Sequence, residues 1–107
     1  MLQSLPLLVE RTLQRLIRAF APEQIVLFGS WAKGTTHVGS DVDLLIIANL
    51  PGRSTVHARR ARQLTADSFP RIDIVFATPQ EVASADTAKS PFLLSILGTG
   101  IVIYRRV

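Results

Sequence analysis

Cysteine is absent from the 107 residues, so disulfides and thiolate-bound zinc are both excluded and the core must hold by packing alone. That suits a reducing compartment, and a cytoplasmic location is the expectation. Tryptophan and tyrosine occur once each beside five phenylalanines, and no interleaving of rings with basic side chains marks a single-strand nucleic-acid channel. No uncharged apolar run approaches the ~20 residues that span a bilayer. The opening Met1-Leu2-Gln3-Ser4-Leu5-Pro6 carries no basic segment ahead of an apolar one, so neither a membrane span nor a secretory signal is expected. Acids are also scarce: eight against twelve lysines and arginines, for a net charge of +4. A basic surface of this kind attracts polyanions such as ATP or RNA, or an acidic protein, without choosing among them.

What is present is an ordinary apolar fraction of 48%, enough for a core at this length, and one domain spanning 1–107 is expected. Val9, Leu13, Leu16, Ile17 and Phe20 fall on one face at helical spacing across residues 4–20, with Ser4 as cap and Pro6 in the first turn. Gln24 to Phe28 reads as a buried strand that stops at Gly29, and Gly29 to Gly39 as a turn, a short helical segment and a loop. Asp41 to Ile47 is strand-like, Ser54 to Phe69 helical, and Arg71 to Phe76 a further strand. Thr78-Pro79-Gln80-Glu81 is a capping box that starts a helix. Ser90-Pro91 starts another, which Gly98 and Gly100 end before a last strand, Ile101 to Tyr104. The pattern predicts an α/β domain: a small mixed β-sheet with helices packed mainly on one side.

Asp41-Val42-Asp43 opens a predicted strand, so the period of two sends both carboxylates to one face, with Cα atoms ~6.6 Å apart. Leu44 to Ile47 follow directly and place the pair at the mouth of a core strand, where two like charges repel unless a cation joins them. Asp73, between Ile72 and Ile74, is the natural third carboxylate. An all-oxygen set suits Mg²⁺, which keeps water and substrate phosphates as its other ligands. Three carboxylates can serve one or two such ions, and Asp73 can also accept a proton from an attacking hydroxyl. Gly29-Ser30 ends a strand in a turn whose backbone N–H groups can cradle phosphate, and Lys33 lies one turn on. Alone, an Asp-x-Asp is usually a solvated pair and a Gly-Ser an ordinary turn. Their order is what is specific: strand, Gly-Ser, ten residues, Asp-x-Asp opening a second strand, and an aspartate inside a third.

Phe28-Gly29-Ser30-Trp31-Ala32-Lys33-Gly34 followed by Ser40-Asp41-Val42-Asp43-Leu44 resembles the signature of the nucleotidyltransferase superfamily that includes DNA polymerase beta, and most closely its minimal nucleotidyltransferase branch. Asp73 in Ile72-Asp73-Ile74-Val75 matches the third aspartate of that branch, and Leu93 to Tyr104 match its closing helix and strand. The resemblance implies a polymerase beta-like fold and Mg²⁺-dependent transfer of AMP from ATP to a hydroxyl. It makes Asp41, Asp43 and Asp73 the metal and catalytic residues, and Gly29, Ser30, Lys33 and Ser40 the nucleotide-binding ones. Trp31 stands where many relatives carry arginine, which leaves Lys33 as the expected phosphate contact. The resemblance further implies an antitoxin whose partner is a helical HEPN-type ribonuclease, silenced by adenylylation of a tyrosine. Larger antibiotic nucleotidyltransferases carry a second domain for the acceptor, so here a partner or a second copy is expected to supply that surface, in a homo- or hetero-oligomer. The alternative is a non-catalytic nucleotide-binding module that neutralises its partner by contact; an RNA-directed enzyme ranks below both. Arg59, Arg60 and Arg62 read as a solvated helix face, His37 and His57 as exposed, and Trp31 and Tyr104 as packing residues.

Overall fold

The structure is a computed structural model, described here for residues 7–36, 39–84 and 90–107. The expected cap at Ser4, the proline at 6 and His37 lie outside those residues. Helix α1 (Leu7–Phe20) buries Val9, Thr12, Leu16 and Phe20, a stripe at intervals of three and four, with Leu13 and Ile17 partly buried beside it. It ends where Ala21 takes a left-handed φ of 44° ahead of Pro22. The Ala21 carbonyl accepts a hydrogen bond from Arg106 Nη1 at 3.1 Å, which ties the turn to the far end of the chain.

Four strands follow the expected runs: β1 (Gln24–Phe28), β2 (Val42–Ile47), β3 (Ile72–Ala77) and β4 (Ile101–Arg105), in the spatial order β3-β2-β1-β4. The pairs β1–β2 and β1–β4 are antiparallel, and β2–β3 is parallel. The parallel pair is joined through helix α3 (Ser54–Leu64), the crossover such a pair requires. Period-two alternation splits the sheet into two apolar layers. Ile25, Leu27, Val42, Leu44, Ile46 and Ile72 pack beneath α1 and α3. Val26, Leu45, Ile47 and Ala77 face the other way, under Leu93 and Ile96 of helix α5 (Pro91–Thr99), with Val82 of helix α4 (Pro79–Ala83) alongside. The two longest helices thus share one face of a mixed sheet, and the shorter ones cover part of the other.

Strand ends move by one residue, with Asp41 and Arg71 just ahead of β2 and β3 and with Ala77 and Arg105 added to β3 and β4, and two helix ends differ from expectation. Helix α3 stops at Leu64, not Phe69: Thr65 is its C-cap, with φ −108° and ψ 6° and with its N–H and hydroxyl both on the Ala61 carbonyl, the hydroxyl at 2.9 Å, and the residue before Pro70 is steered away from helical geometry. Gly98 does not end α5, which continues through it to Thr99. Gly100 is the stop, where a Cβ would lie 2.6 Å from the Ile96 carbonyl and against Val26. The capping box at Thr78 forms as expected, with Glu81 N–H donating to Thr78 Oγ1 at 3.1 Å and Thr78 N–H to Glu81 Oε1 at 2.8 Å. Among the described residues no helix is long and apolar enough to cross a membrane.

Candidate active site

The site forms where the second apolar layer runs out. Antiparallel pairing sets Phe28 opposite Asp43, and parallel pairing sets Asp73 beside Asp43, so the end of β1 and the starts of β2 and β3 meet at one corner. Asp43 shares its face with Leu45 and Ile47, and Asp41, one residue before β2, has the same parity. Phe28 meets Phe92 of α5 edge to face, ring centroids 6.1 Å apart, closing the apolar layer just below the carboxylates.

Gly29 is the residue that lets β1 approach. It has φ 73° and ψ −152°, a conformation reserved for glycine, and a side chain there would collide with the Asp43 carboxylate. The chain then coils into the short helix α2 (Ser30–Lys33), and the Gly29 carbonyl accepts from Lys33 N–H at 3.2 Å. Gly34 turns left-handed with φ 72° to leave it. The Trp31 indole Nε1–H donates to the Ser40 carbonyl at 3.1 Å, while the ring packs against the α1–α3 layer. This bond ties the Gly-Ser turn to the residue that precedes Asp41.

Partial burial raises the Asp43 carboxyl above its ordinary range, with Asp73 and then Asp41 adding like-charge repulsion. No basic group among the described residues offsets these effects at Asp43. Asp73 instead has Arg71, whose Nε lies 3.4 Å from Asp73 Oδ1, both side chains well exposed. Asp41 is exposed. As placed, the three carboxylates are neighbours but do not close into a three-donor cluster among the described residues. Gly29, Ser30, Asp43 and Asp73 are therefore brought together, Ser40 is joined to them through Trp31, and Lys33 is exposed on the last turn of α2.

A match to the nucleotidyltransferase domain family runs over residues 9–94. The chain belongs to that family. It is 31% identical over 106 residues to a candidate protein adenylyltransferase of Methanocaldococcus jannaschii, MJ1305, across 92% of this chain and 71% of the relative. Two solved structures share the fold. One is a chain of a toxin–antitoxin crystallised with AMP-PNP, at TM-score 0.64 and 23% identity, covering 91% of this chain and 73% of the other. The second is a candidate nucleotidyltransferase from Sulfolobus solfataricus, at TM-score 0.60 and 17% identity, covering 92% and 78%. The chain is a nucleotidyltransferase, as its motif implied.

Four residues carry more than the sequence reading gave them. Arg71 went unnoticed, although its two-residue offset from Asp73 puts it on the same face of β3 and was legible by strand parity. Trp31 packs as expected but also bonds Ser40. His57 is not simply exposed: it is partly buried, its ring centroid is 6.4 Å from that of Phe20, and its Nε2 lies 2.6 Å from the Pro51 carbonyl. Arg60, on the solvated face, sits 5.7 Å over the Phe20 ring.

Proposed function

We propose that this nucleotidyltransferase moves AMP from ATP to a hydroxyl of a partner protein. The carrying observation is the register Asp43 beside Asp73, with the Gly29 backbone against Asp43. In this reading the Gly29-Ser30 turn, the Ser30 hydroxyl and Lys33 hold the triphosphate, and Ser40 borders the nucleotide. Asp41, Asp43 and Asp73 would supply the oxygen donors for a hard divalent cation such as Mg²⁺, which would neutralise the partly buried, mutually repelling charge at Asp43. When bound, it supplies charge stabilisation at the phosphates. Asp73 takes the acceptor proton as the acceptor oxygen bonds to the α-phosphorus. The bond from that phosphorus to the bridging oxygen breaks, and pyrophosphate leaves with the electron pair.

The acceptor proposed is a tyrosine of a helical HEPN-type toxin, with this chain as the antitoxin. The toxin–antitoxin membership of one structural neighbour and the adenylyltransferase assignment of the relative support that reading. A second reading, neutralisation by contact alone, draws on the exposed Phe92, Leu94, Ile101 and Val102 around α5 and β4, an apolar surface suited to a partner. One experiment separates them: incubation with ATP labelled at the α-phosphate, Mg²⁺ and an extract of the host, beside the Asp41→Asn/Asp43→Asn double variant. Label on a protein band only with the intact aspartates is expected, with mass spectrometry placing AMP on tyrosine. No label under any divalent ion with the partner present, together with neutralisation by the double variant, would establish the contact-only module.

A further inference from the structure

The open edge of β3 lies in a groove of about 580 Å³ between that strand and α3, and Asp73 is part of its wall. β3 pairs only with β2 among the described residues, which leaves its other side without a strand neighbour. Which backbone groups face outward follows from two bonds: Val42 N–H donates to the Arg71 carbonyl at 2.8 Å, and Ala48 N–H to the Ala77 carbonyl at 3.0 Å. Residues 71, 73, 75 and 77 therefore turn their backbone groups to β2. Ile72, Ile74 and Phe76 turn theirs to the open side. Ile72 and Ile74 line the groove, and so do two arginines, Arg62 from α3 and Arg71, the residue before β3. Both are exposed, and among the described residues Arg71 pairs with a carboxylate, Asp73 itself, while no ion pair is formed by Arg62.

We propose that this groove is the acceptor site, and that it takes an extended, acidic segment of the partner protein, added as a strand along β3. This rests on the transfer reading above and names the acceptor's chemistry. Backbone pairing with Ile72 and Ile74 sets the segment's register, while Arg62 and Arg71 hold its carboxylates. A hydroxyl beside those carboxylates then lies at Asp73.

The test uses the full chain, α-labelled ATP and synthetic peptides carrying one tyrosine flanked either by aspartates or by lysines. The acidic peptide is expected to be labelled about tenfold better in kcat/KM, and N-methylation of its alternate backbone nitrogens to abolish labelling in one phase of alternation but not the other. Arg62→Glu is expected to weaken labelling of the acidic peptide about five- to tenfold through KM, and to improve the lysine peptide, a swap that loss of fold would not produce. Equal labelling of both peptides by both proteins, indifference to N-methylation, or labelling of single-stranded RNA in place of peptide would overturn the proposal. Labelling of a host protein but of neither peptide overturns it while leaving the transfer reading intact. Absence of labelling everywhere overturns both.

Discussion

Replacing Asp43 by asparagine should make the metal-free protein more stable and the enzyme inactive. Adjacent strands are ~4.8 Å apart, and Asp43 lies beside Asp73 in register, so two carboxylates about 5 Å apart repel by roughly 3 kcal/mol at an effective dielectric of 20. Asp43 and Asp73 are each partly exposed, and salt screening reduces this to about 1 kcal/mol. Asparagine keeps the shape and removes the charge. With EDTA present, thermal unfolding followed by circular dichroism should show Tm rising by about 4 °C, the shift expected of ~1 kcal/mol in a domain of this size. With Mg²⁺ and ATP, transfer should fall at least about a hundredfold, the usual scale for removing a group that stabilises developing charge. The two effects have opposite signs, which a structural role for Asp43 could not produce. A variant less stable than the parent in EDTA would refute the reasoning, because it would mean that the carboxylate is held by favourable bonds and not crowded by like charges.

Gly29→Ala should lose on both counts: the backbone conformation costs about 1–3 kcal/mol for any L side chain, and the methyl group displaces Asp43, so urea unfolding should move to lower denaturant and transfer should fall with it. Arg15 donates to Asp67 at 2.7 Å and thereby holds that carboxyl below its ordinary range. A depressed carboxyl stabilises the fold above the unfolded pKa of ~3.9, and the contribution is lost as pH falls through the lower folded value. Asp67→Asn should accordingly flatten the acid limb of a plot of Tm against pH and leave the neutral region nearly unchanged. Both side chains are solvent-facing, so a large loss of stability at pH 7 would contradict the pairing seen.

The strands and the capping box were legible because local signals and long-range packing agree there: Gln24 to Phe28 is apolar and β-branched, and Thr78, Pro79 and Glu81 satisfy their own backbone groups. The candidate site was legible as residue types in order, since Gly29 and Asp43 lie in one local stretch. Its geometry was not, because Asp43 reaches Asp73 only through a parallel pairing that the crossover helix makes, and no local pattern states which strands become neighbours. The same holds for Arg15 and Asp67, 52 residues apart. The end of α3 escaped because no glycine or proline marks Thr65, and the groove escaped because Arg62 read as part of a solvated helix face and Arg71 went unnoticed.

The bond from Trp31 to Ser40 closes a short circuit within the longer loop between β1 and β2. The ladder fixes the two strands at one end, and the indole fixes the loop's return at the other. Thr35 and Thr36 lie inside this circuit on exposed chain between two glycines of left-handed φ, Gly34 and Gly39, so these two threonines can change without altering the distance from Gly29 to Asp43. The strands Gln24–Phe28 and Val42–Ile47 thus work as a mounting frame for the corner of Gly29 and Asp43, with Thr35 and Thr36 as its replaceable rim.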